Sequence, residues 1–108
     1  MTTMHSEKQL QDYTKKVAIA HHCGFYKMEC VGQTGFPDVM LTFGGYCIFI
    51  ELKAPSGKGR VSVRQKYMAS KLTYHGIENY VANSTRQIDL IISRLINRES
   101  RPLPIAII

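Results

Sequence analysis

Two glycines, Gly44 and Gly45, stand between the apolar runs Val39–Phe43 and Tyr46–Leu52. A Gly-Gly pair in that setting specifies a two-residue hairpin, because the tight turn that matches strand twist needs positive φ at its central positions. The turn also fixes the register. Phe43 pairs with Tyr46, Thr42 with Cys47, Leu41 with Ile48, Met40 with Phe49 and Val39 with Ile50. The next step sets Asp38 opposite Glu51. Like charges directly opposite each other on a ladder repel. Lys53 lies two residues past Glu51, so strand alternation points it to the same face. Two opposed carboxylates beside one lysine, on an otherwise apolar hairpin, want a cation between them.

Near-continuous apolar strands are usually buried on both faces, at the centre of a sheet covered by helices. An unpaired charge at the end of such a strand is costly. Pro37 restricts the backbone just before Asp38 and helps hold that carboxylate rigid. The plainer alternatives are a Glu51–Lys53 ion pair on the strand margin and an ordinary turn aspartate at 38. The first leaves Asp38 unexplained, and the register argues against the second.

The rest of the chain supplies the cover. Ser6-Glu7-Lys8-Gln9 is a capping box that opens a helix from Glu7 to about His22. Its apolar stripe is Leu10, Tyr13, Val17, Ala18 and Ala20, and Gly24 is its expected stop. Glu7 has two readings, a first-turn acid favoured by the helix dipole or a third carboxylate reaching the hairpin. His21 and His22 suit a helix end and point about 100° apart, which is poor geometry for one metal. A short strand follows over Phe25–Cys30, then a loop from Val31 to Pro37.

Beyond the hairpin, Ala54 to Arg60 is a Pro/Gly/Ser loop carrying Lys58 and Arg60, placed to meet phosphates. Ser62-Val-Arg-Gln65 is a second capping box, opening a helix to about Tyr74 that Gly76 ends. Gln65, Met68, Ala69 and Leu72 share one face; Arg64, Lys66 and Lys71 make the exposed side basic. Gln65 either completes the cap or serves the site. A strand over Glu78–Ala82 and a last helix from Ser84 to about Arg98 complete the order α-β-β-β-α-β-α. That order predicts a mixed sheet flanked by helices. The last helix has a broad apolar face, and the tail Arg101–Ile108 is apolar at its end. The helix face suits both the sheet and a neighbour, and the tail either adds an edge strand or is buried by a partner chain.

At 108 residues the chain is read as one domain, residues 1–108. No apolar run approaches the ~20 residues that cross a bilayer, and the N-terminus lacks a basic-then-apolar signal pattern. A cytoplasmic, membrane-free protein is expected. The formal charge of +6 and a pI near 9.4 favour a polyanionic partner, nucleic acid first. Cys23, Cys30 and Cys47 form no CxxC pair and are expected to be reduced and mostly buried.

The ligand types set the chemistry. Hard carboxylate oxygens suit Mg²⁺, with Mn²⁺ as its substitute. An ion at Asp38 and Glu51 would polarise a phosphoryl oxygen and acidify a water. Lys53 would orient that water or offset transition-state charge. Lys58, Arg60, Arg64 and Lys66 would hold the phosphate backbone.

At these residues the chain resembles a known family. Gly35-Phe-Pro-Asp38, Ile50-Glu-Leu-Lys53, Ser62 with Gln65, and the following helix-Gly-strand are similar to the VRR-NUC domain, a branch of the PD-(D/E)XK nuclease superfamily. The resemblance runs from about Glu7 to Leu95. It implies an α/β, restriction-endonuclease-like αβββαβ core with an added C-terminal helix. It implies Asp38, Glu51 and the Leu52 backbone carbonyl as metal ligands, Lys53 as the catalytic lysine, Gln65 as the glutamine after the ExK strand, and Glu7 as the first-helix acid and a possible ligand. Members of this bare size resemble phage and bacterial stand-alone enzymes and archaeal junction resolvases. The expectation is therefore a Mg²⁺-dependent endodeoxyribonuclease for DNA repair, a homodimer that resolves four-way Holliday junctions in a bacterial or phage-infected cytosol. The alternatives are a non-catalytic DNA-binding module of the same fold and a restriction-like nuclease on linear duplex.

Overall fold

The computed structural model describes residues 6–56 and 59–101. The expected phosphate contact at Lys58 and the apolar tail beyond Arg101 lie outside the described residues.

Each helix starts on a serine. In α1 (Glu7–Ala20) Ser6 Oγ accepts the Gln9 N–H at 3.0 Å, and Gln9 Oε1 accepts the Ser6 N–H at 3.1 Å. Ser62 and Gln65 repeat this reciprocal cap at α2 (Val63–Tyr74). Ser84 caps α3 (Thr85–Ile96) through the Gln87 N–H. These bonds satisfy donors that a helix start otherwise leaves open.

The end of α1 differs from expectation. The left-handed residue is His22, with φ 62°, and not Gly24. The His22 N–H donates to the Ile19 carbonyl and the Cys23 N–H to the Ala18 carbonyl, the paired bonds of a Schellman cap. Gly24 already belongs to β1 (Gly24–Lys27). That strand is shorter than Phe25–Cys30. The Met28 N–H still donates to the Asp38 carbonyl, and beyond it Glu29 and Cys30 already run as loop.

The sheet order is β1-β2-β3-β4, with β2 (Val39–Phe43), β3 (Tyr46–Leu52) and β4 (Asn79–Ala82). β1–β2 and β2–β3 are antiparallel and β3–β4 is parallel, with α2 as the crossover. The hairpin register from Val39↔Ile50 to Phe43↔Tyr46 is the one the Gly-Gly turn predicts.

One sheet face carries the core. Val39, Leu41, Ile48, Ile50 and Leu52 are buried against Leu10 and Ala18 of α1 and Ile88, Ile91, Ile92 and Leu95 of α3. Thr14 also belongs inside α1, its hydroxyl donating to the Leu10 carbonyl at 2.8 Å, whereas Ala20 is exposed. The α3 apolar face is thus spent mainly on α1 and the sheet, leaving Leu90 outside.

The other face is only partly covered, by α2 and the loop before Pro37. Met40, Thr42 and Phe49 are half-buried, and Cys47 is exposed. Two-sided burial of the hairpin therefore fails toward its turn, because among the described residues α2 is the only helix on that side and buries just Met68. For the same reason Cys47 is not a core thiol. Cys30, in a loop rather than a strand, is exposed too, and only Cys23 is buried.

Candidate active site

The half-covered face is closed at the strand end where β3 meets α2, and there Glu51 is buried, with 5 % of its surface exposed. β2 delivers Asp38 one step beyond the last ladder pair, next to Glu51, as the register requires. The Leu52 N–H donates to Asp38 Oδ2 at 2.9 Å, which fixes that carboxylate. Pro37 before it is buried. Lys53 follows on the same face, with Nζ 3.7 Å from Glu51 Oε1 and its side chain 13 % exposed.

Gln65 does both of the jobs its position suggested. Its Oε1 accepts the Ser62 N–H at 2.8 Å in the helix cap, and its Nε2 donates to Glu51 Oε1 at 2.7 Å. The loop that brings Asp38 in also positions this amide. Gly35 lies so close to the first turn of α2 that a Cβ there would sit 2.5 Å from the Arg64 carbonyl oxygen and 2.9 Å from the Gln65 nitrogen. Close backbone approach of this kind is open to glycine alone.

Glu51 Oε1 is thus satisfied. Glu51 Oε2 is buried and has no hydrogen-bond partner. Burial, first, and then the neighbouring Asp38 carboxylate push the Glu51 carboxyl up to about 8; Lys53 opposes them. Two carboxylates that crowd each other without a donor between them can be relieved by a shared proton or by a cation. An orphaned buried carboxylate oxygen beside a second, fixed carboxylate fits a hard divalent ion by the chemistry of the donors.

Glu7 stands apart. It lines a surface recess with Lys8, Gln11 and Lys27, and its charge is the weakest of the influences on Glu51. Among the described residues no three His, Cys, Asp or Glu side chains gather where one metal could take them all. Lys27 is engaged with Gln11, its Nζ 2.8 Å from Oε1. Of the basic candidates, Arg60, Arg64 and Lys66 are exposed on the approach to Gln65. Arg64 also donates to Thr34 Oγ1 at 3.0 Å and lies over the Tyr67 ring. Sequence reasoning missed the contribution of Tyr67 to this surface, although its spacing three residues after Arg64 and four before Lys71 was the available signal.

No family model matches the sequence, and no curated protein matches it. Among solved structures, a chain described as "VRR_NUC domain" is similar over 81% of this chain and 94% of its own, with a TM-score of 0.72 and 24% sequence identity. The likeness establishes the fold: an α-β-β-β-α-β-α chain on a mixed four-stranded sheet, as in that VRR_NUC structure. No helix among the described residues is long and apolar enough to cross a membrane.

Proposed function

We propose that this chain, built on the VRR_NUC fold, is a metal-dependent endodeoxyribonuclease that hydrolyses phosphodiester bonds of branched DNA. The observation that carries the reading is Glu51 Oε2, a buried carboxylate oxygen without a partner beside the fixed carboxylate of Asp38. A structural ion pair with Lys53 leaves that oxygen unexplained, since Lys53 Nζ lies on the Oε1 side.

Asp38 and Glu51 would hold Mg²⁺ or Mn²⁺, with the Leu52 carbonyl as a further ligand and Glu7 of α1 as an outlying acid whose charge reaches Glu51. When bound, such an ion polarises a phosphoryl oxygen and lowers the pKa of a water. The protein's own part is preorganisation. The Leu52 N–H holds Asp38, and Gln65 holds Glu51 by one oxygen and leaves the other free for a cation. Lys53 supplies the nearby positive charge, placed to orient a water and to balance charge developing on the phosphoryl group. The net charge of +6 and the exposed Arg60, Arg64 and Lys66 support a polyanion as substrate.

Each chain has one such pair of carboxylates, and resolving a four-way junction needs two nicks. The reading therefore includes a two-fold homodimer acting on Holliday junctions. The test is cleavage of labelled four-way junction, flap and linear duplex DNA in Mg²⁺, Mn²⁺ or EDTA, with wild type beside Asp38→Asn and Lys53→Ala. Paired, metal-dependent nicks in the junction that both variants lose are expected. Cleavage of flap or linear DNA alone keeps the chemistry and removes the junction. Tight binding without cleavage in either metal overturns the nuclease and leaves a DNA-binding module.

A further inference from the structure

The outer side of α2 carries a second pattern. Arg64, Tyr67, Lys71 and Tyr74 fall at i, i+3, i+7 and i+10, so they form one stripe along the helix, cation and aromatic in alternation. All four are exposed, Tyr67 at 51 % and Tyr74 at 85 %. The Arg64 guanidinium carbon lies over the Tyr67 ring, 5.2 Å from its centre, and Lys71 Nζ lies over it at 5.9 Å, so this ring carries two cations and still has half its surface in solvent; Tyr74 stands edge-on to His75, with ring centroids 5.2 Å apart. Val63–Tyr74 contains no acidic residue.

An apolar recess of about 270 Å³ adjoins the stripe at Lys71. Phe36, Met68 and Leu72 line it, with His75 at the helix end. Phe36 is held edge-on against Phe49 of β3, with ring centroids 5.3 Å apart. The volume falls just below the ~300–1,000 Å³ of drug-sized ligand pockets, which suits one flat ring.

A stripe of cations and solvent-facing aromatic rings, with no acid among them, complements a nucleic-acid strand: phosphates meet the cations and bases stack on the rings. A paired duplex hides its base faces, so such a platform serves only unpaired nucleotides. Its orientation is informative. The stripe begins at Arg64, whose neighbour Gln65 touches Glu51, and runs about 15 Å along the helix away from that carboxylate.

We propose that α2 is a single-strand platform, on which Tyr67 and Tyr74 stack unpaired bases of a branched DNA, Arg64 and Lys71 hold the intervening phosphates, and the Phe36–Met68–Leu72 recess takes one base. This deepens the nuclease reading and rests on it for the destination of the strand. It gives the enzyme a preference, among branched DNAs, for those with nucleotides unpaired next to the cut, a four-way junction opened at its crossover included.

The test is binding in EDTA, where no cleavage interferes. The probes are a splayed-arm DNA with 2-aminopurine in its single-stranded arm and a blunt duplex of equal length. Wild type is expected to prefer the splayed DNA and to quench the 2-aminopurine. Tyr67→Ala and Tyr74→Ala should each lower the splayed-to-duplex preference about tenfold, the size expected for losing one base–aromatic stack. Tyr67→Phe, which keeps the ring, should restore it. Equal wild-type affinity for the two probes, or undiminished preference in the Tyr67→Ala/Tyr74→Ala double variant, overturns the platform. Cleavage of the same DNAs in Mg²⁺ and Mn²⁺ is scored separately. Quenching without cleavage supports the platform while removing the nuclease; cleavage with no preference for the splayed arm does the reverse.

Discussion

Gln65 donates its side-chain N–H to Glu51 Oε1 at 2.7 Å while the oxygen of the same amide closes the cap of α2 on the Ser62 N–H. One residue therefore ties the helix start to the buried carboxylate. Gln65→Glu keeps an acceptor for the cap but replaces the donor with a third carboxylate. It should destabilise the protein at pH 8 by about 2 kcal/mol, the range for a lost hydrogen bond to a charged group. It should also lower metal-dependent cleavage. Urea unfolding at pH 8 checks the first; a wild-type midpoint for Gln65→Glu would mean that the contact does not hold Glu51.

Stability without metal should fall with pH because of Glu51. Its carboxyl, pushed up to about 8 chiefly by burial, keeps a proton in the folded state that the unfolded chain has released. The contribution is complete below the ordinary Glu value of ~4.3 and is lost as pH rises through about 8. Glu51→Gln removes this dependence. In EDTA the variant should match wild type near pH 5 and exceed it at pH 8.5, by an amount on the order of a few kcal/mol. Parallel melting curves for the two proteins across that range would contradict it. Mg²⁺ should raise the wild-type Tm most at the alkaline end, where both carboxylates are ionised.

Gly35 should tolerate no side chain. A Cβ would meet backbone atoms of Arg64 and Gln65, and φ is +85°. Gly35→Ala should cost about 2–3 kcal/mol and move Gln65 away from Glu51. Gly32→Ala is the control. It shares the positive φ, at +79°, but its Cβ meets nothing within 4 Å, so it should cost only the conformational part, about 1 kcal/mol. Equal melting temperatures for the two variants would show that the loop does not bear on α2.

His22 holds a left-handed conformation that glycine adopts freely. His22→Gly should stabilise the protein by about 0.5–1 kcal/mol, raising Tm by ~2–6 °C. A fall in Tm would show that the imidazole makes a compensating contact at the end of α1.

The sequence by itself determined what depends on neighbours along the chain. Three serine caps, with Gln9, Gln65 and Gln87 in place, began three helices because capping bonds span only a few residues. The Gly44-Gly45 turn set the β2–β3 register, and with it the approach of Asp38 to Glu51, because a two-residue loop admits one pairing. Lys53 followed from strand alternation. Tertiary structure decided what depends on distant segments. How much of each hairpin face is covered followed from where α2 lands, so Cys47 is exposed although its strand is apolar. β1 ends where its pairing with β2 stops, at Asp38, and α1 ends in a cap that His22, not a glycine, completes. The state of Glu51 was settled last. Its raised pKa needs the desolvation and the nearby Asp38 that only the packed fold supplies, and its orphaned oxygen needs the same burial, a property of the assembled layers rather than of any residue in the strand.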